Sequence, residues 1–128
     1  MQPENKTGFS LLAGHSTIAL TTFRENGQPV TTPVWFAQDG DKLYVMSLAT
    51  AAEVQRIHQN AQVEVAPCAE NGVALTPSIE AMALPLSGHQ AEIARRALNH
   101  KYGLRGRLYD LIFSVKRQER VYLEITPM

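Results

Sequence analysis

TTFRENGQPVTTPVWF, residues 21–36, is the stretch whose reading decides the fold. A run rich in β-branched and apolar residues, TIALTTFR (17–24), enters it, and Asn26-Gly27 interrupts it. An Asn-Gly pair tolerates the positive φ of a tight hairpin, which makes it the strongest short hairpin signal. The next run, PVTTPVWFAQ (29–38), alternates. Val30, Thr32, Val34 and Phe36 fall on one face, and Thr31, Pro33, Trp35 and Ala37 on the other. Two strands joined by a tight turn therefore open the chain. Pro33 removes one ladder donor, so its strand is expected at a sheet edge or beside a bulge, where a ligand or a second subunit can approach.

The same signals continue outward. DGD (39–41) turns the chain into KLYVMSL (42–48), and QVEVAPC (62–68) is a further strand followed by Asn71-Gly72, a second turn signal. Another strand covers about 78–86, and RVYLEITP closes the chain as an alternating strand. Helical spacing is confined to a short segment after Leu48, to AEIARRALNHKYG, and to LRGRLYDLIFSV. Ser87 and Gln90 have capping-box spacing before the first of the two late helices, and Gly103 stands where that helix should end. Ile93, Ala94, Ala97 and Leu98 form its apolar stripe. FSLLAG suits a turn or two of helix, and residues 1–6 read as a frayed tail. Hairpins with little βαβ alternation point to a mainly β (α+β) antiparallel barrel or sheet.

Length and charge narrow the classes of function. The 128 residues suit one domain, 1–128, with a proper core. Twelve basic residues balance twelve acidic ones, which argues against nucleic acid or an anionic membrane as the main partner. The single cysteine, Cys68, excludes an internal disulfide, and no apolar run reaches the length of a membrane span. No basic n-region with an apolar h-region opens the sequence, so a soluble, cytoplasmic protein is expected.

The chain carries none of the standard catalytic signatures: no phosphate-binding glycine loop, nucleophile elbow or zinc-protease helix. His15, His58, His89 and His100 lack metal-ligand spacing, so no metal is expected. Cys68 has no base nearby in sequence and reads as a core residue ahead of a nucleophile. Three features could bind a ligand. The strand Thr32-Pro33-Val34-Trp35 offers a free edge, small groups and the chain's only tryptophan to a planar ring, although Trp35 reads equally well as a core or dimer-interface aromatic. SLATAAEVQRIHQN (47–60) is a strand-to-helix turn in which Ala49 and Thr50 precede the first helical N–H groups, a common place for a phosphate. Arg105 and Arg107 flank a glycine in a basic joint that can also meet an anion.

Several stretches, taken together, resemble a known family. LTTFRENGQPVTTPVWF, DGDKLYV, the VQRI and VAPC segment, KYGLRGRLYDLI and VYLEITP occur in order across nearly all the chain after residue 16. They resemble the split β-barrel flavin/deazaflavin oxidoreductases related to pyridoxamine 5′-phosphate oxidase, in particular their short F420-dependent branch. The resemblance implies a six-stranded antiparallel split β-barrel with a short inserted helix and two later helices. It also implies a homodimer with FMN or F420 at the subunit interface. The ring is expected against Thr32, Pro33, Val34 and Trp35, and the anionic tail near Ala49, Thr50, Arg56 and Arg107.

The small-molecule substrate of such a reductase would be a conjugated or carbonyl compound. Its hydride chemistry resides in the cofactor, which is why a search for catalytic triads finds nothing. The other readings are a barrel that holds a planar ligand without turnover and a dimer with no ligand. The branch usually has lysines in a pattern like S-G-K-V-K-R, whereas this register reads Ala51-Ala52-Glu53-Val54-Gln55-Arg56. A Gly-Pro before the fifth strand is replaced by Thr76-Pro77, and a later glycine by Ala81. Thr50 and Glu53 themselves have capping-box spacing, which predicts a helix start satisfied internally where relatives grip a phosphate.

Overall fold

The expected hairpins close into a barrel. The computed structural model describes residues 8–69, 71–103 and 119–128. After a 3-10 turn at Gly8–Leu12 come β1 (Thr17–Phe23), β2 (Pro29–Asp39), β3 (Lys42–Leu48), α1 (Ala52–Gln59), β4 (Gln62–Pro67), β5 (Ile79–Leu86), α2 (Gly88–Tyr102) and β6 (Arg120–Pro127). The strand order is β1-β2-β3-β6-β5-β4, closed, and every neighbouring pair is antiparallel. The frayed tail, the helix expected over LRGRLYDLIFSV, and Arg105 and Arg107 lie outside the described residues.

The first hairpin forms as its sequence requires. Gly27 takes φ +85°, and the Asn26 side chain accepts the Gln28 N–H at 3.0 Å. The turn at Asn71-Gly72 repeats the device, with the Val73 N–H on Asn71 Oδ1 at 3.0 Å. Each side chain stands in for a backbone acceptor and so fixes the turn locally.

Alternation then sorts the side chains. Ile18 and Leu20 of β1, Phe36 of β2, Leu43 and Val45 of β3, Val63 and Val65 of β4, and Leu123 and Ile125 of β6 fill the barrel, each at most 1% exposed. A fully buried side chain of this size contributes roughly 1.5–3 kcal/mol. On the outside, α2 lays Ala94 and Leu98 over Ala37, Tyr44 and Tyr122. Ala97 packs at the margin of that cluster, and Ile93 stays 39% exposed, so the helix buries a narrower stripe than its sequence suggests. Ser87 is the N-cap residue of α2, but its hydroxyl makes no cap bond, so the capping box expected there is not formed.

The barrel is split along β2. Its first half is in register with β1 from Pro29 to Trp35, whereas β3 pairs only with Phe36–Asp39. Beyond Val45, β3 turns to β6, with which it pairs from Leu43 to Leu48. Among the described residues, 29–35 are thus flanked by a strand on one side only. Pro33, in register with Ala19, sits in this half, where a missing N–H costs no ladder bond on the open side.

Candidate functional site

The open half of β2 carries four of the eight residues expected to bind a cofactor. Thr32, Pro33, Val34 and Trp35 all lie on it, but alternation divides them. Val34 packs against the barrel core, which places Thr32 on the inward face as well. Pro33 and Trp35 face outward. The four therefore share the backbone edge and not one side-chain surface.

The outward face is already furnished. The Trp35 ring stacks on Tyr102 of α2, with centroids 4.4 Å apart and planes 12° from parallel. The Tyr102 hydroxyl accepts the Phe36 N–H at 2.8 Å and lies 2.7 Å from the Phe36 carbonyl and 2.6 Å from that of Ser16. Trp35 is the last β2 residue in register with β1, opposite Thr17. Tyr102 thus occupies the place of the next rung, between Ser16 and Phe36. Burial pushes this hydroxyl up to about 12, opposed in part by its backbone bond to Phe36. Beside it, Lys101 Nζ lies 3.5 Å above the centre of the Phe36 ring and donates to the His15 carbonyl at 2.7 Å. Burial pulls this amine down to about 8. Gly72, from the β4–β5 connection, lies against the Pro33 ring.

The inward face ends beneath α1, whose Val54 and Ile57 are buried at the end of the barrel. Two hydroxyls from the strands beside β2 meet this helix. Arg56 Nε donates to Thr22 Oγ1 at 2.6 Å, and Ser47 Oγ donates to Glu53 Oε2 at 2.9 Å. Thr22 is fully buried and Ser47 is 6% exposed. Each is the polar member of an inward row, after Ile18 and Leu20 in β1 and after Leu43 and Val45 in β3. That break in an apolar alternation was the signal in the sequence, and it was missed; Tyr102 left no comparable trace.

The capping box expected at Thr50 and Glu53 is corrected here. The N-cap is Ala51, with no side-chain bond, and Thr50 is exposed one residue before it. A tight turn, with the Ala51 N–H on the Leu48 carbonyl at 2.9 Å, delays the helix by one residue. Glu53 therefore stands at the second helical position, one short of the third that a capping box requires, and turns to Ser47 instead. Ala49 is held by its N–H on the Glu119 carbonyl at 2.9 Å and accepts from the Gln55 side chain at 3.2 Å. Arg56 joins the site through Thr22, which is in register with Val30 of β2. Arg107 lies outside the described residues.

These groups do not treat all parts of a flavin alike. A planar ring fits an open strand edge with small and aromatic neighbours. A doubly charged phosphate tail does not fit a helix whose first turn presents the Glu53 carboxylate, with the Arg56 guanidinium three residues further on. Elsewhere, Cys68 is buried and its thiol is pushed up by burial, consistent with a core residue. Among the described residues no cluster of metal ligands occurs, and no helix is long and apolar enough to cross a membrane. A cavity of about 360 Å³, lined by Phe9, Gln38, Gly40 and Met128 among others, lies at the opposite end of β2 and β3.

A six-stranded closed antiparallel barrel that opens along its second strand defines the split-barrel class. The sequence matches the family model described as pyridoxamine 5′-phosphate oxidase over residues 6–128, so the chain belongs to that family. Its fold is similar to the heme storage protein HutZ from Vibrio cholerae, with TM-score 0.71 and 16% identity over 99% of this chain and 89% of that one. It is also similar to an F420 reductase, with TM-score 0.60 and 19% identity over 96% and 94% of the two chains. A third relative in fold is a FAD-binding protein from Mesorhizobium loti, with TM-score 0.67 and 14% identity over 91% and 82%. No curated protein matches the chain by sequence.

Proposed function

We propose that this protein is a homodimeric oxidoreductase that holds a flavin or deazaflavin (FMN- or F420-type) ring against the open half of β2 and reduces a small conjugated or carbonyl compound. The observation that supports it most is the seven-residue stretch Pro29–Trp35, flanked among the described residues by β1 alone. Its free backbone groups can read a ring edge, and a second subunit can close over it. When bound, such a ring supplies the hydride chemistry. The chain's part is to bind and orient. Thr32 and the β2 backbone border the ring, Tyr102 fixes the Trp35 side of the strand, and Arg56, steadied by Thr22, is the cation nearest the tail. Family membership and the likeness to an F420 reductase and a FAD-binding protein favour this reading.

The test is a titration of the purified protein with FMN and with F420, followed by absorbance and fluorescence, with sedimentation to give the oligomeric state. Binding of either, then reduction of the bound ring and turnover in a substrate screen, is the expected result. Absence of any spectral change with both, and with riboflavin as well, would sink the proposal. One observation favours a second reading, a planar-ligand carrier without turnover: Glu53 stands fixed on Ser47 where the tail would lie. The likeness to a heme storage protein is in keeping with it. A bound ring that resists every reductant and substrate would support this alternative.

A further inference from the structure

Glu53 and Arg56 stand three residues apart on α1, the spacing at which opposite charges on a helix ordinarily meet. They do not meet here. Ser47 holds the carboxylate from β3, and Thr22 holds the guanidinium from β1, at 2.9 and 2.6 Å. Since β1 and β3 are the two neighbours of β2 in the barrel, the two charges are held by the strands on either side of it. Two buried hydroxyls in otherwise apolar rows carry a desolvation cost, which their bonds to the two charges offset. Along the chain, the charges next to these strand ends also come in opposite pairs among the described residues: Arg24 with Glu25 in the β1–β2 turn, and Glu119 with Arg120 where β6 begins.

Such an arrangement offers a dianion no net attraction. It suits a chain of hydroxyl groups, because the carboxylate accepts from O–H donors while the guanidinium donates to hydroxyl oxygens. We propose that the parted pair Glu53 and Arg56 selects a flavin-type ring whose side chain is hydroxylated and uncharged, with riboflavin as the type. A ring whose tail ends in phosphate, or in phosphate and carboxylates, is disfavoured. This inference rests on the ring-binding reading above and names the ligand class of that same site.

The full chain is titrated with riboflavin, FMN and F420, each followed by fluorescence at low and at physiological ionic strength. Riboflavin is expected to bind at least as tightly as FMN and about tenfold more tightly than F420, with little effect of salt on the riboflavin-to-FMN ratio. Glu53→Gln, which keeps an acceptor for Ser47, is expected to move that ratio about fivefold toward FMN, and more at low salt. FMN binding tenfold tighter than riboflavin to the unaltered protein overturns the selection while leaving the ring-binding reading intact. A ratio unmoved in folded Glu53→Gln also overturns it. Failure of all three compounds to bind overturns both. The ratio measured on the unaltered protein decides the matter even where the variant does not fold.

Discussion

The two halves of β2 share one strand and one alternating sequence pattern, yet they do different work. From Phe36 to Asp39 the strand is paired with β3, its inward Phe36 is 1% exposed, and Ala37 lies under α2. From Pro29 to Trp35 it is flanked, among the described residues, by β1 alone, and its residue Val30 is in register with Thr22, the partner of Arg56 from α1. Among the described residues each half is paired along one edge only. The β3-paired half, however, is packed into the core and under α2 and meets Tyr102 at Phe36, whereas the β1-paired half keeps its second edge's backbone donors and acceptors for something else. The junction is held by Tyr102, whose hydroxyl fills the rung at which the two halves meet.

The sharpest way to break this comparison is Phe36→Ala. Loss of that buried ring should destabilise the protein by about 3–5 kcal/mol, read from the urea midpoint. A loss near zero would mean that the β3-paired half is not scaffold. Tyr102→Phe keeps the stack on Trp35 but leaves the Phe36 N–H and the Ser16 carbonyl without their partner, at a cost of about 1–3 kcal/mol. It should also speed amide exchange at Phe36 before the rest of the barrel.

Thr22→Val tests the other half. It preserves shape and removes the acceptor of a charge-assisted bond, for about 1–2 kcal/mol. Thr22→Ser should restore stability and ligand affinity together, whereas a purely packing role would make serine no better than valine. Thr32→Ala, on the same inward face as Phe36 but in the open half, should stay within about 0.5 kcal/mol.

The smallest effect is one of pH. Burial lowers the Lys101 amine to about 8 from a reference of 10.5, so between those values the unfolded chain binds more protons than the folded one. Stability should therefore rise gently as pH increases from 8 toward 10. The rise is shallow because Lys101 keeps contact with solvent, which screens it. Above 10 the raised Tyr102 hydroxyl acts the other way, since its folded form keeps a proton that the unfolded chain gives up. Urea midpoints of Lys101→Met across the same range should lose the rise and keep the fall.

Much of the barrel was legible in residues 17–48, because period-two alternation and the Asn26-Gly27 turn are local signals whose meaning does not depend on distant contacts. The edge character of β2 could be read from Pro33, whose missing N–H is equally local. Thr22 and Ser47 were legible in principle, as hydroxyls in inward apolar rows, but only α1 arriving at both rows gives them their partners. Glu53 shows the limit most clearly. Its spacing from Thr50 favours a capping box, and a single turn bonded to Leu48 shifts the helix start by one residue and sends the carboxylate to another strand.

The sequence by itself therefore determined the strands, their turns and the strand with a free edge, all of which follow from periodicity and backbone chemistry within a few residues. Only the tertiary structure decided that Trp35 is stacked on Tyr102 and that Glu53 and Arg56 turn to different strands, β3 and β1. Those contacts join residues as many as 86 positions apart, as with Tyr102 and Ser16. No local propensity encodes such a meeting; it follows from closure of the barrel, which fixes which rows of side chains face the same helix.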